Sequence, residues 1–177
     1  YFAFFKISLE PRNIVIATGG SEAISFAFNA VGDPGDEVIV SEPFYTNYSG
    51  YASQCGLTIV PVTAKAEDGF HLPAIAEFEK KLTPRTRAVL ICSPNNPTGT
   101  VYTPEELKAI GAFAREHDLF LIADEVYKEF TYDGKVHFSV LQLAGLEDRV
   151  IVVDSISKRY SACGARIGAV ISRNEEV

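Results

Sequence analysis

Short runs of β-branched and other apolar residues alternate with stretches of helical periodicity along almost the whole chain. Seven such runs are candidate strands, at residues 13–17, 37–41, 57–62, 87–92, 119–123, 149–153 and 167–172. Strands that alternate with helices are typical of parallel sheets whose two faces are covered by helices. The pattern therefore predicts an α/β fold, a three-layer α/β/α arrangement around a mainly parallel, mixed sheet of about seven strands.

Helical periodicity is found at residues 21–31, 73–81 and 104–117. The third segment has the clearest start. Thr103 is a good N-cap, Pro104 suits the first helical position, and Glu106 completes a capping box. No internal repeat or linker interrupts this alternation, so we expect a single layered domain.

The composition excludes several classes of protein. Of the 177 residues, 47% are hydrophobic and 22% are charged, as in ordinary globular domains. A net charge of −7 argues against a nucleic-acid partner, and no apolar run approaches the roughly 18 residues of a membrane span. The chain does not open on a signal-peptide pattern. Three cysteines without metal-ligand spacing indicate reduced thiols in a cytoplasmic protein that binds no metal.

Polar and glycine-rich segments follow the predicted strands, where open α/β sheets bind ligands. In Thr18-Gly19-Gly20-Ser21-Glu22 the glycines let the backbone approach a ligand, and the following helix start offers free N–H groups to a phosphate. An ordinary tight turn between strand and helix is the alternative. After the second strand, Tyr45 is a candidate to stack on a flat heteroaromatic ring, whereas Phe44 is expected in the core.

The loop 93–99 holds two asparagines, two prolines and a glycine, which indicates a rigid connection with a possible cis bond before Pro97. An asparagine side chain in such a loop can bond a ligand hydroxyl or phenolate, and a plain turn is the alternative. A carboxylate that ends a buried strand is costly unless it is paired, so Asp124 is a candidate partner for a protonated ring nitrogen, with Tyr127 close by. Glu125 is expected to be solvated or structural.

The last predicted site segment contains Lys158. It follows the strand at 149–153, next to the hydroxyls of Ser155 and Ser157 and eight residues before Arg166. A lysine amine can hold an aldehyde cofactor, and a hydroxyl with a forked guanidinium suits a phosphate. Taken alone, so short a pattern is more often a solvated loop.

Taken together and in order, these segments resemble the pyridoxal-phosphate-dependent aminotransferases of class I/II, with the fold of aspartate aminotransferase. The specific combination is Ser93-Pro-Asn-Asn-Pro-Thr-Gly99, Ser155-Ile-Ser-Lys158 and Arg166-Ile-Gly168. The resemblance covers the chain from about residue 13 to residue 171. It implies a transaminase that moves an amino group between an amino acid, with aspartate the first guess, and a 2-oxo acid.

The resemblance also implies a role for each site residue. Lys158 would form the Schiff base with pyridoxal phosphate and shuttle the substrate Cα proton, Asp124 would pair with the pyridine nitrogen, and Asn96 and Tyr127 would bond the phenolate oxygen. Tyr45 would stack on the ring. The expected phosphate contacts are Gly20, Ser21, Glu22, Ser155, Ser157 and Arg166. The same lysine and aspartate would also serve a C–S lyase or related elimination enzyme, or an aminotransferase-like sensor domain of a transcription regulator.

Members of that family are about twice as long as this chain and act as homodimers, and a substrate-binding arginine lies in their C-terminal part. The chain contains no methionine and starts at Tyr1. We therefore expect residues 1–177 to be the cofactor-binding large domain of a longer enzyme, without its N-terminal segment and its C-terminal small domain. By itself this domain is expected to have low activity.

Overall fold

Seven strands form one mixed sheet in the computed structural model, which describes residues 1–177 except for the side chains of Phe2 and Phe4. The strands are β1 (Ile14–Ala17), β2 (Glu37–Glu42), β3 (Thr58–Thr63), β4 (Thr86–Cys92), β5 (Phe120–Asp124), β6 (Val150–Ser155) and β7 (Gly168–Ser172). Their order across the sheet is β1-β7-β6-β5-β4-β2-β3. All seven predicted strands are present, with ends that differ by one or two residues.

Only β7 runs against its neighbours, since it pairs antiparallel with both β1 and β6. All other pairs are parallel. The carboxyl ends of β1, β2, β4, β5 and β6 therefore lie at one edge of the sheet, together with the start of β7. The prediction of a mainly parallel, mixed sheet of about seven strands is confirmed.

Six helices accompany the sheet: α1 (Phe2–Phe5), α2 (Gly19–Val31), α3 (Asn47–Gln54), α4 (Ile75–Glu79), α5 (Pro104–Glu116) and α6 (Ile156–Arg159). The predicted capping box starts α5, because Oγ1 of Thr103 accepts a hydrogen bond from the Glu106 N–H and the Glu106 carboxylate accepts one from the Thr103 N–H. Helix α2 begins two residues earlier than predicted. Helix α4 is shorter than the predicted helix at 73–81.

Helix α3 was not predicted from the sequence. Its residues, Asn-Tyr-Ser-Gly-Tyr-Ala-Ser-Gln, are mostly small or polar and include a glycine, so they lack a broad apolar stripe. Only Tyr48 and Ala52, four residues apart, are buried. The helix forms because these two side chains pack against the sheet layer, a contact that local periodicity does not reveal.

Two hydrophobic clusters lie on opposite faces of the sheet. One contains buried residues of α5 with alternate strand residues such as Ile39 and Leu121. The other contains buried residues of α2 and α3 with the intervening strand residues, such as Val38 and Ile122. Side chains of a strand alternate between faces, and this alternation produces the three layers that were predicted. None of the helices in the described part of the chain is long and apolar enough to cross a membrane.

Candidate active site

A cavity of about 220 Å³ opens at the edge of the sheet where the carboxyl ends of the parallel strands meet. Ten of the eleven residues singled out from the sequence line it: Gly20, Ser21, Tyr45, Asn96, Asp124, Tyr127, Ser155, Ser157, Lys158 and Arg166. The other lining residues are Ile24, Tyr48, Tyr51, Cys92, Val126 and Cys163. Segments that lie far apart in the chain therefore share one concave site, and Arg166 is hydrogen-bonded to Thr18, which lies 148 positions before it.

Asp124 ends β5 at the floor of this cavity, and it is only 7% exposed. Its Oδ2 accepts a 2.7 Å hydrogen bond from the Tyr48 hydroxyl, and its Oδ1 accepts one of 3.2 Å from the Val126 N–H. Burial raises the pKa of Asp124 to about 6, although both hydrogen bonds act in the opposite direction. No cation among the described side chains donates to this carboxylate. It is therefore suited to a ligand that brings a positively charged N–H group.

Tyr48 lines the cavity and contacts Asp124, and sequence reasoning missed it. It is 1% exposed, and burial raises the pKa of its phenol well above the usual range, so the hydroxyl stays protonated and donates to Asp124. Cys92, the last residue of β4, lies beside Asp124 in the strand register and was also missed. Its place at a strand end was the signal that could have identified it. Finding Tyr48 required the recognition of α3.

At the opposite end of the cavity, Arg166 lies against the start of α2. Its Nη2 donates to the Thr18 carbonyl at 3.2 Å and its Nη1 donates to the Cys163 carbonyl at 3.1 Å. These two carbonyls occupy two of the five guanidinium N–H donors. Gly20 and Ser21 belong to the first turn of α2, whose N–H groups have no partner within the helix. An arginine beside a helix N-terminus is a favourable environment for an anion.

Gly168 makes this arrangement possible. A Cβ atom at this position would lie 2.6 Å from the Gly19 carbonyl oxygen and 2.7 Å from the Gly20 nitrogen, both of which are backbone atoms. The start of β7 and the turn before α2 therefore touch through their main chains. Residue 168 has to be glycine for this close approach.

Lys158 belongs to the single turn of α6, which follows β6 directly. Ser155 caps this turn, because its Oγ accepts a 3.1 Å hydrogen bond from the Ser157 N–H. The hydroxyls of Ser155 and Ser157 are 2.9 Å apart, and the Ser155 hydroxyl also donates to the Ile167 carbonyl. The Lys158 Nζ lies 5.9 Å from the centroid of the Tyr127 ring. Lys158 lines the cavity. In the strand order, β6, which leads to Lys158, lies between β5, which ends at Asp124, and β7, which starts just after Arg166.

The aromatic and amide groups form the remaining wall. Tyr45 contacts Tyr48 edge to face, with ring centroids 5.4 Å apart, and its hydroxyl accepts a 2.8 Å hydrogen bond from Nδ2 of Asn47. The rigid loop at 93–99 brings Asn96 to the cavity beside Tyr127. The peptide bond between Asn96 and Pro97 is cis, as the sequence had indicated.

Two acidic residues lie elsewhere. Glu22, the eleventh candidate, does not line the cavity, and its carboxylate accepts a 2.6 Å hydrogen bond from the Thr18 N–H. Glu125 has a structural role but is not solvated. Its Oε1 accepts a 2.9 Å hydrogen bond from the Val140 N–H, and its Oε2 lies 3.3 Å from Nε2 of buried His137. Among the described residues, no group of three His, Cys, Asp or Glu side chains is placed to hold a metal ion.

The site therefore combines three kinds of chemistry. A primary amine can bond to a carbonyl carbon, a buried carboxylate can pair with a cationic N–H, and a guanidinium with free backbone N–H groups can hold an anion. A flat ligand with a carbonyl group, a basic ring nitrogen and a phosphate would use all three.

Many known proteins are similar to this chain in sequence or in structure. The putative aminotransferase YugH of Bacillus subtilis is 41% identical over 93% of this chain and 42% of its own length. The aspartate/prephenate aminotransferase of Thermus thermophilus is 36% identical over 97% of this chain and 43% of its own. The solved structure of the aromatic aminotransferase from Pyrococcus horikoshii superposes with a TM-score of 0.93 at 34% identity, and the match covers 99% of this chain and 47% of that one.

The chain thus spans a little less than half the length of the relatives that it matches. A family model described as aminotransferase class I and II matches residues 2–177. On this evidence, together with the shared fold, the chain belongs to the class I and II aminotransferases.

Proposed function

We propose that the protein to which this chain belongs is a pyridoxal-phosphate-dependent transaminase, and that residues 1–177 are its cofactor-binding domain. The observation that carries the proposal is that Lys158, Asp124 and Arg166 line a single cavity. These three residues provide an amine, a buried carboxylate and an anion-binding guanidinium. They match the aldehyde, the ring nitrogen and the phosphate of pyridoxal phosphate.

Asp124 would hold the pyridine nitrogen in its protonated form. Burial destabilises the ionised form of this carboxylate, whose pKa is about 6, and a cationic N–H partner would offset that destabilisation. Tyr48 supports this role, because its hydroxyl orients Oδ2 of the carboxylate. When bound, pyridoxal phosphate supplies the electron sink for proton loss at the substrate Cα, and an ionised Asp124 keeps the ring nitrogen ready for that role.

The phosphate would lie between Arg166 and the first turn of α2. The backbone N–H groups of Gly20 and Ser21 point out of that helix end, and Glu22 would add its own backbone N–H. Ser155 and Ser157 line the same cavity, and their hydroxyls are 2.9 Å apart. Together these groups would fix one end of the cofactor while Asp124 fixes the other.

Lys158 would carry out the covalent and proton-transfer steps. Its Nζ would hold the aldehyde carbon covalently, with the carbonyl oxygen leaving as water, and the amine, once freed by an amino acid, would accept the Cα proton of the substrate. Tyr127 and Asn96 would donate to the phenolate oxygen, and Tyr45 would stack on the ring. All four side chains line the same cavity, which supports these roles.

Aspartate is the first amino acid to test, with 2-oxoglutarate as the amino acceptor. The support comes from relatives, since the Thermus thermophilus relative is named for aspartate and prephenate. The Pyrococcus horikoshii relative is named as an aromatic aminotransferase, so a panel of amino acids is needed.

We also propose a cytoplasmic homodimer. Three free cysteines fit a reducing compartment, and the exposed apolar Val15 and Ile16 on edge strand β1 fit a covered surface.

The decisive experiment is capture of the cofactor. The protein is incubated with pyridoxal phosphate and reduced with borohydride, and its peptides are mapped by mass spectrometry. The label is expected on Lys158 and absent from a Lys158→Ala variant, with Lys108, an exposed lysine of α5, unlabelled. A label that persists elsewhere in the Lys158→Ala protein at the wild-type level would refute the role of Lys158.

A half-reaction then tests the type of chemistry. Aspartate and other amino acids should convert the bound cofactor to its amine form, with a shift in absorption, and a 2-oxo acid should reverse the shift. Release of pyruvate and ammonia without such reversal would show an elimination enzyme instead.

Sedimentation of the wild type and an Ile16→Lys variant tests the dimer, which the added charge should weaken.

A further inference from the structure

The turn that carries Lys158 is too short to be stable by itself. Helix α6 contains four residues, Ile156–Arg159, and isolated helices of that length do not form in water. The Ser155 cap satisfies one N–H group at its start. Backbone hydrogen bonds also hold the turn, since the Ile156 N–H donates to the Ile167 carbonyl and the Ala162 N–H donates to the Ser157 carbonyl. A further contact comes from the side chain of the residue next to the lysine.

Arg159 is tied to the last part of β6 by an ion pair. Its Nη2 lies 2.5 Å from Oδ1 and 2.6 Å from Oδ2 of Asp154. The Asp154 side chain is 11% exposed and that of Arg159 is 17% exposed. Asp154 is itself held by the sheet, because it pairs with Ala169 of β7 and its Oδ1 accepts a 2.7 Å hydrogen bond from the Ser155 N–H.

Two further charges complete this cluster. Nζ of Lys128, whose side chain is 1% exposed, lies 2.5 Å from Oδ1 of Asp154. Glu129 Oε1 lies 3.2 Å from Nη1 of Arg159 and 3.8 Å from Nζ of Lys128. We call these four residues, Lys128, Glu129, Asp154 and Arg159, the ion cluster. Two cations balance two anions, so neither charge of the central pair is left uncompensated in a region with little solvent.

Consecutive side chains of a helix diverge by about 100° around its axis. Because the ion cluster holds Arg159 against the body of the protein, the preceding side chain is turned toward the cavity, where Lys158 is found. We propose that Asp154 and Arg159 are positioning residues for Lys158. Their ion pair sets the rotation of α6 and thereby the direction of the reactive amine.

This inference rests on the proposed function, since it concerns the reaction of Lys158 with the aldehyde. In that step the amine nitrogen bonds to the aldehyde carbon, and the carbonyl oxygen leaves as water. The rate depends on where Nζ lies. Binding of the ring and phosphate would depend on Asp124, Arg166, α2 and the hydroxyls of Ser155 and Ser157, none of which belongs to the ion cluster. Asparagine at position 154 keeps an Oδ1 that can accept from the Ser155 N–H. The two quantities can therefore be measured separately.

The experiment compares pyridoxal phosphate with pyridoxine phosphate, which has an alcohol in place of the aldehyde and cannot bond to the lysine. The variants are Asp154→Asn, Arg159→Gln and Arg159→Lys. The control is Arg149→Gln, which breaks a 2.5 Å ion pair with Asp118 at the other end of β6. Readouts are the dissociation constant of pyridoxine phosphate, the rate of borohydride-trapped capture on Lys158, and the unfolding midpoint.

We expect Arg159→Gln and Asp154→Asn to slow capture by about 10- to 100-fold, as small misplacements of reacting groups do. Their affinity for pyridoxine phosphate should stay within about twofold of the wild type, which corresponds to about 0.4 kcal/mol of binding free energy. Arg159→Lys keeps the charge and should recover part of the rate. The control should behave as the wild type in both ligand assays.

Capture by Arg159→Gln at the wild-type rate would overturn the inference, and so would an equal loss of capture and pyridoxine phosphate binding. If removal of one charge unfolds the protein, the double variant Asp154→Asn/Arg159→Gln removes both partners and avoids a buried unpaired charge. It should show the same selective loss of capture. A wild-type protein that captures no cofactor on Lys158 would instead refute the proposed function.

Discussion

The hydroxyl of Tyr48 donates a 2.7 Å hydrogen bond to Oδ2 of Asp124, and the two residues lie 76 positions apart in the chain. This bond connects α3 to the carboxyl end of β5 under the floor of the cavity. It is one of two hydrogen bonds that stabilise the ionised form of a carboxylate whose burial favours the neutral form. The phenol therefore adjusts the charge state of the residue that would face the ring nitrogen.

Tyr48→Phe should raise the pKa of Asp124 above its present value of about 6, because the carboxylate loses a donor while it stays buried. Hydrogen bonds to charged groups contribute about 1.5–3 kcal/mol, so pyridoxal phosphate should bind about 10- to 100-fold more weakly at neutral pH. Titration of the Asp124 carboxyl carbon by NMR measures the first effect. Tyr102→Phe removes another buried phenol, which pairs with Asn95, and should leave this titration unchanged.

Asp124→Asn should stabilise the cofactor-free protein, but only at higher pH. The pKa of about 6 in the folded state lies above the usual value of about 3.9 in an unfolded chain. The folded state therefore binds the extra proton between pH 4 and 6, and the free energy of unfolding falls as pH rises through that window. Asparagine does not titrate, so its advantage should grow to about 3 kcal/mol at pH 8.

Urea unfolding at pH 4.5 and pH 8 without cofactor measures this difference. Asp133→Asn, at an exposed turn, serves as the control and should show no such pH-dependent gain. An advantage of Asp124→Asn that is equal at both pH values would contradict the expected cause. With pyridoxal phosphate present the order should reverse, because asparagine cannot compensate a protonated ring nitrogen.

Arg166→Gln should weaken binding of pyridoxal phosphate and leave binding of pyridoxal nearly unchanged. The guanidinium is positioned beside the first turn of α2 by the carbonyls of Thr18 and Cys163, so its loss removes charge from the anion-binding end alone. Charge-assisted hydrogen bonds contribute about 1.5–3 kcal/mol, which corresponds to about 10- to 100-fold in affinity. Fluorescence titration with both ligands measures the ratio. If the affinities for pyridoxal phosphate and pyridoxal fell equally, Arg166 would lie outside the phosphate site.

Gly168→Ala should destabilise the protein by about 1–3 kcal/mol or more, as overpacking at a rigid contact does. The added methyl group would meet backbone atoms of Gly19 and Gly20, which cannot rotate away. Affinity for pyridoxal phosphate should fall as well, because the start of α2 is displaced. Gly164→Ala is the matched control, since a Cβ at that position has open space around it. Both effects are measured by urea unfolding and ligand titration.

The sequence was sufficient for the architecture, because strand and helix periodicity are local properties. All seven strands and the capped start of α5 follow from patterns within a few residues. The sequence was also sufficient to predict most of the residues that line the cavity. The rule that ligands meet the carboxyl ends of parallel strands brings Asn96, Asp124 and Lys158 to one edge without any knowledge of the contacts between them.

Only the tertiary structure decided which side chains support the residues that line the cavity. Tyr48 is on a helix whose residues carry almost no local signal, and its bond to Asp124 joins segments from different crossovers. The pairing of Asp154 with Arg159 and buried Lys128 likewise depends on how β6, α6 and the segment after β5 pack together. Periodicity determines which elements form, but the energy of a buried charge or hydroxyl depends on partners that the chain brings together only when it folds.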